Sequence, residues 1–385
     1  MGQQFPRSPA LLTPPTASAT LCRELFSRNQ GALPPLCACA DQGKSAVSPI
    51  PLVIDTDVGT DVDDALALML ALASPEVDVI GVTIVDGDVD LRARMAARLL
   101  GMAGRADIPV FKGLGGPLGP GRMPTMRGHE GRGLLDVPYV GPEAAIHATP
   151  APVWLVAESR RRPFHLAAIG PYTNVAAAIE RDPDFAARLL HLTVMGGMVH
   201  EEHFSPEWRQ FFAHLGESGA WIDHNTASDP AAALIVANAG IPMTWVTAEL
   251  TFHLPLAPSG LERLARIGSP LSTALTVMTR IWNDEWFRHL PVPYDGPWPF
   301  PSNAVACLHD PLALASIFAG EWLTLRSESL KYAIKGDLFR TTPADERDAD
   351  AKAAVSVAAD PTTFERFYLD RVEAFLRRAA RSTAN

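Results

Sequence analysis

Cysteine is scarce, with four in 385 residues, and three of them (Cys22, Cys37 and Cys39) fall within the first fifty. That excludes a disulfide-stapled scaffold. Cys37 and Cys39, two close thiols with no distant partner pair, make a poor zinc site. No apolar run reaches about 18 residues without a charge, so no spanning helix and no membrane partner are expected. Basic residues are the minority, 33 against 43 acidic, for a formal net charge of −10. A nucleic-acid surface needs a basic field, so nucleic acid is excluded as a partner. A secretory signal needs an apolar core of about 7–15 residues. Ala10-Leu11-Leu12 is too short for one and prolines follow it. With no address signal read, the cytoplasm is the expected compartment.

What is present divides near residue 50. The first fifty residues hold seven prolines and four basic against two acidic side chains. They read as a disordered leader, 1–50. From Pro51 short apolar runs alternate with amphipathic segments, and 51–385 is expected to form one catalytic domain. Leu52–Ile54, Val77–Val85, Pro109–Phe111, Phe164–Ile169, Leu192–Met195 and Met243–Val246 read as strands. Asp64–Ala73, Leu91–Met102, Asn174–Glu180 and Pro230–Asn238 read as helices, and the last third as more helical, ending in Thr363–Ala380. Alternating strands and helices of this length predict an α/β fold: an open, mostly parallel sheet flanked by helices, Rossmann-like in its layering. Such sheets carry their sites in loops at the carboxyl ends of strands.

The first such loop is unusual. Asp55, Asp57, Asp61, Asp63 and Asp64 put five carboxylates into ten residues between an apolar strand and an apolar helix. One aspartate suffices to start a helix. Five repel one another unless a cation sits among them, and oxygen ligands suit Ca²⁺ or Mg²⁺. An EF-hand is excluded. It needs Gly at the sixth and Glu at the twelfth position, whereas counting from Asp55 gives Thr60 and Leu66, and from Asp57 gives Val62 and Leu68. An Asp-x-Asp phosphatase is the remaining alternative, but His309-Asp310 is not its acidic pair and three aspartates stay unexplained.

Taken with the blocks that follow it, this loop resembles the inosine-uridine-preferring nucleoside hydrolases. The blocks are Asp55-Thr-Asp57-Val-Gly59 with Asp63-Asp64-Ala65, Gly87-Asp88, Asp107 to Gly113, Gly128-His129-Glu130-Gly131, Gly170 to Asn174, Met195-Gly196-Gly197, Asp223-His224-Asn225 with Asp229-Pro230, and His309-Asp310-Pro311. Their shared order over roughly Pro51 to Arg377 makes the set specific. The resemblance implies a nucleoside-hydrolase fold and hydrolysis of the N-glycosidic bond of ribonucleosides to ribose and base. It implies a Ca²⁺ ion on Asp57, Asp64, the Thr173 carbonyl and Asp310. Asp57 would take a proton from a water. Asp63 and Asp310 would hold ribose hydroxyls, Asp223 and Asn225 the 5′-hydroxyl and the developing sugar cation. Met195 would lie under the ribose, and His309 would protonate the departing base. A homodimer or homotetramer is implied as well. The chemistry is consistent: an oxocarbenium-like sugar and an anionic base call for nearby negative charge, an activated water and an acid. A Ca²⁺-dependent riboside-binding protein with weak turnover is the other alternative.

Several residues depart from the family pattern. The first loop is two residues longer, which leaves Asp61 as a spare carboxylate. Asp88 stands where the family has Asn, and is counted with the substrate-binding residues. Met198 to Ile222 is long and aromatic, with Gly216-Glu217 in place of the expected Gly-Asn. It reads as a lid, an oligomer contact or a surface loop. Trp286–Pro301 sets prolines among aromatics and reads as a stacking wall for the base or a buried plug. His129 and Glu130 either edge the site or turn the chain, and the turn is the preferred reading.

Overall fold

The computed structural model describes residues 48–120, 126–214, 223–288, 304–318 and 320–382. Of the features read from sequence, the leader through residue 47, Gly216-Glu217 and residues 289–301 of the aromatic wall lie outside them.

β1 (Ile50–Thr56) is an almost unbroken apolar run, as a strand covered on both faces should be. Its alternation divides the core. Leu52 and Ile54 join the cluster with Leu66, Met69 and Leu99, while Val53 joins the one with Leu155, Val175 and Val236. The helix Asp63–Ala73 follows, written in Ala, Leu and Met, the strongest helix formers. It is apolar on all sides because it is buried on nearly all sides, packed against the helices His309–Ala315 and Pro361–Ser382.

The chain then lays down β2 (Val77–Ile84), β3 (Val110–Lys112), β4 (Ile146–His147), β5 (His165–Ala168), β6 (His191–Met195) and β7 (Met243–Val246). A small antiparallel pair, β8 (Pro255–Leu256) with β9 (Ala306–Cys307), stands apart. β10 (Leu323–Lys335), β11 (Leu338–Pro343) and β12 (Ala351–Ala359) complete a ten-stranded sheet in the order β11-β10-β12-β7-β6-β5-β1-β2-β3-β4. From β12 to β4 every pairing is parallel, and β10 pairs antiparallel with both β11 and β12. The open, mostly parallel α/β sheet is therefore observed.

The last third is more helical than the rest, as expected, and ends in the helix Pro361–Ser382, but it also supplies three strands of the main sheet that were not expected. β10 alternates polar and apolar residues, burying Leu330 and Tyr332 while exposing Lys331, so it lacks the apolar run that marked the central strands. In the long loop, the residues up to 214 are not a plain surface loop throughout. Pro206–His214 is a helix whose Trp208, Phe211 and Phe212 are buried, with Trp208 against Phe252 at 4.5 Å between ring centroids. The helices Ala151–Arg161, Pro258–Ala265 and Pro270–Arg288 were not anticipated.

The order matters for the site. The chain moves outward from β1 through β2, β3 and β4, then returns to the other side of β1 with β5 and continues through β6 and β7. The reversal falls between β1 and β5, where open α/β sheets bind ligands beyond the strands' carboxyl ends. Among the described residues no helix is long and apolar enough to cross a membrane.

Candidate active site

At that crevice β1 runs into the loop carrying Asp57, Asp61, Asp63 and Asp64, and β5 runs into Gly170 and Thr173. Gly170 is needed as glycine, because a Cβ there would lie 2.8 Å from both the backbone nitrogen and Oδ1 of Asp57. Gly196, after β6 with φ 138°, leaves no room either, and its Cβ would meet the Tyr172 hydroxyl at 2.5 Å and Asp223 Oδ1 at 2.8 Å. The backbones of β5 and β6 thus close in on the acidic side chains.

Asp63, Asp64 and Asp310 are all buried and offer ligand atoms within 4.8 Å of one another. Asp310 arrives from the helix His309–Ala315, and its amide donates to Asp63 Oδ2 at 3.3 Å. Thr56 donates its hydroxyl to Asp64 Oδ1, and Asp64's own amide donates to Asp63 Oδ1 at 3.1 Å. Burial first, then the neighbouring carboxylates, pushes all three acids well above the usual range. Asp61 is part of the same field. It accepts the Val62 amide at 2.6 Å and the Asp63 amide at 3.3 Å, and burial pushes it to about 6. Deeper in β1, Asp55 accepts from Thr83 and Asn174, its Oδ2 has no partner, and burial pushes it to about 7.

Asp57 behaves differently. Burial raises it, but the nearby His224 and the charge of Arg92 outweigh that and hold it below the ordinary aspartate value. His224 Nε2 lies 3.6 Å from Asp57 Oδ2. Arg92, from the helix Val89–Met102, is buried and ties three loops together. It donates to the carbonyls of Asp57 and Asp86 and to the Thr60 hydroxyl. His129 and Glu130 brace the same loop rather than merely turning the chain: His129 Nε2 meets the Thr60 carbonyl at 2.8 Å, and Glu130 accepts the Thr60 hydroxyl at 3.1 Å.

Asp223, Asn225 and Met195 line the β6 side. Asp223 accepts from the Gly197 amide at 2.6 Å and from Thr226, while Asn225 donates to the carbonyls of Ile169 and Met195. Thr173 opens the helix after β5, its hydroxyl donating to Asp229 at 2.8 Å. His309 lies against Thr251, with Nδ1 2.7 Å from its hydroxyl, and stands edge-on to Phe252 at 4.7 Å. The aromatic cluster of Trp208, Phe212 and Phe252 is thus the wall behind this histidine. Burial pushes His309 down to about 3, so its ring is neutral at neutral pH.

The expected residues Asp57, Asp63, Asp64, Thr173, Met195, Asp223, Asn225 and Asp310 all prove buried at the carboxyl ends of the central strands. Asp88 stands apart from them. It is exposed and caps the following helix by accepting the Leu91 amide at 2.9 Å. The buried carboxylate of that loop is Asp86. Sequence reasoning missed Asp86, His224 and Arg92. The strand-end rule points at Asp86, two residues after β2, whereas the family pattern points at Asp88.

With this geometry established, comparison with known proteins is informative. A family model described as inosine-uridine preferring nucleoside hydrolase matches residues 52–368. A pyrimidine-specific ribonucleoside hydrolase of Salmonella arizonae is 30% identical over 280 residues, covering 71% of this chain and 81% of that protein. Uridine nucleosidase 1 of Arabidopsis thaliana is 28% identical over 293 residues, covering 74% and 79%. Among solved structures, a plant nucleoside hydrolase is similar with a TM-score of 0.67 and 25% identity, over 85% of this chain and 99% of that one.

Proposed function

This chain belongs to the inosine-uridine preferring nucleoside hydrolase family and is a hydrolase acting on N-glycosyl compounds; from that premise we propose that it cleaves ribonucleosides to ribose and free base around a calcium ion on Asp57, Asp64, the Thr173 carbonyl and Asp310. The observation that carries this reading is the convergence of Asp63, Asp64 and Asp310 within 4.8 Å at the reversal point of the sheet. The donor set supports the metal chosen: it is all oxygen, which suits a hard cation. Buried carboxylates facing one another need that positive charge. When bound, calcium supplies a positive centre for the ribose diol and makes a water more acidic.

The chain's own residues divide the remaining work. Asp57 is the acid of the cluster kept charged by its surroundings, and it removes the proton of the attacking water. Asp63 and Asp310 accept from ribose hydroxyls. Asp223 and Asn225 face the 5′-hydroxyl and add negative potential where the sugar becomes cationic. Met195 packs beneath the ring. His309, neutral in the free protein, donates a hydrogen bond from its ring to the departing base as negative charge builds there. Its 2.7 Å contact with the Thr251 hydroxyl is shorter than that hydroxyl's 3.3 Å to the Ala248 carbonyl. We therefore assign the hydroxyl hydrogen to His309 Nδ1, which leaves the ring proton on Nε2, where it is available to a leaving group. Displacement by water without a covalent intermediate inverts the anomeric carbon.

The test is ribose release from uridine, cytidine, inosine and adenosine by calcium-loaded protein, with Asp57→Asn in parallel. Uridine and cytidine come first because the similar curated proteins are named for pyrimidine ribonucleosides and uridine. Release that is lost in the variant supports the reading. Absence of release from all four contradicts it.

A further inference from the structure

Beside the calcium ligands lies a second convergence that this reading does not use in full. Asp57, Asp86 and His224 offer ligand atoms within 4.8 Å of one another. Asp86 is only 4% exposed, and its Oδ2 is buried without a hydrogen-bond partner. Its φ of 65° is the one positive value at a non-glycine among the described residues, a conformation that persists where the surroundings enforce it. Arg92 does the enforcing: its Nε donates to the Asp86 carbonyl at 2.8 Å, while its Nη2 stays 3.6 Å from Asp86 Oδ2, outside hydrogen-bond range. His224 stands on the other side of Asp57 with its side chain 53% exposed, so the group is reachable from solvent.

Asp57 repels Asp61, Asp63, Asp64, Asp86 and Asp310 across this site, and the buried Arg92 and the neighbouring His224 counter it.

We propose that Asp57, Asp86 and His224 form a second divalent-cation site, separate from the Asp63–Asp64–Asp310 group and sharing Asp57 with the calcium. Its imidazole selects a first-row transition ion such as Mn²⁺, because nitrogen donors suit those metals and calcium prefers oxygen. The proposal concerns ion binding and does not rest on the hydrolase reading.

The experiment uses the full chain, stripped of metal and saturated with Ca²⁺, then titrated with Mn²⁺ while the electron paramagnetic resonance signal of free Mn²⁺ is followed. The expected result is one Mn²⁺ per chain with calcium retained, and binding at least tenfold weaker in both Asp86→Asn and His224→Gln. His224→Gln alters a half-exposed ring, so it reports even if Asp86→Asn does not fold. No Mn²⁺ uptake over calcium, displacement of calcium one for one, or wild-type affinity in the variants would each overturn the proposal. A chain that binds Mn²⁺ here but no calcium would instead fault the calcium reading and leave this one standing.

Discussion

The two ends of the central sheet bury ionisable side chains in opposite ways. At the amino ends of β5 and β6, His165 and His191 sit side by side, 5.0 Å between ring centroids. Each meets a threonine hydroxyl on the next strand, His165 with Thr193 at 2.9 Å and His191 with Thr244 at 2.8 Å. Burial pushes His165 well down and His191 to about 4, so both rings are neutral and lie against neutral partners. At the carboxyl ends of β1 and β5 the buried groups are carboxylates facing carboxylates. The first arrangement sets neutral rings against neutral hydroxyls, each bonded through Nε2, which serves stability. The second is costly alone and becomes favourable only when a ligand is bound, which is how functional sites are built.

Breaking the carboxyl end should be felt first in catalysis. Asp57→Asn is expected to lower kcat by about 10³-fold without loss of fold, as removal of a general base does. Steady-state ribose release with circular dichroism as the folding control checks this. His309→Gln should cost about 10²-fold in kcat, since the sugar-side charges remain. A base that leaves readily without protonation should narrow that loss, and an equal loss on all bases would remove His309 from the acid role.

The same end should show a reversed sign in stability. In metal-stripped protein at pH 7, Asp63→Asn removes one of the mutually repelling acids and is expected to raise the melting temperature by about 2 °C or more. A lower melting temperature would mean that the cluster is satisfied without metal, and the contrast between the two ends would collapse.

The remaining effect belongs to the amino end. The folded-state pKa values of His165 and His191 lie below the unfolded value of about 6.5. Their contribution to stability is therefore fully present above that pH and is lost as pH falls toward about 4 for His191. By linkage that is at most about 3 kcal/mol for His191. Urea unfolding at pH 6.5 and 4.5 should show a smaller drop in the double variant His165→Gln, His191→Gln than in wild type.

Much of this was legible in the sequence where apolar runs and strand-end motifs coincide. β1, β2, β5, β6 and β7 fall within a residue or two of their expected bounds, because a strand buried on both faces writes a continuous apolar run. β10 to β12 were missed since a half-exposed antiparallel strand alternates and dilutes that signal. The aromatics of Pro206–His214 left a lid, an oligomer contact and a surface loop open in sequence, and in the fold they pack inward. Which aspartate of Val85-Asp86-Gly87-Asp88 points inward depends on the left-handed turn at Asp86 and on Arg92, a contact between loops that no spacing records.

Whether the acidic convergence is a metal site is tested most directly by calorimetric titration of metal-stripped wild type and Asp64→Asn with Ca²⁺. One tight ion per chain is expected in the wild type, with a rise in melting temperature on binding, and loss of both in the variant. Absence of calcium binding by the wild type, or equal binding by the variant, would contradict a metal site there.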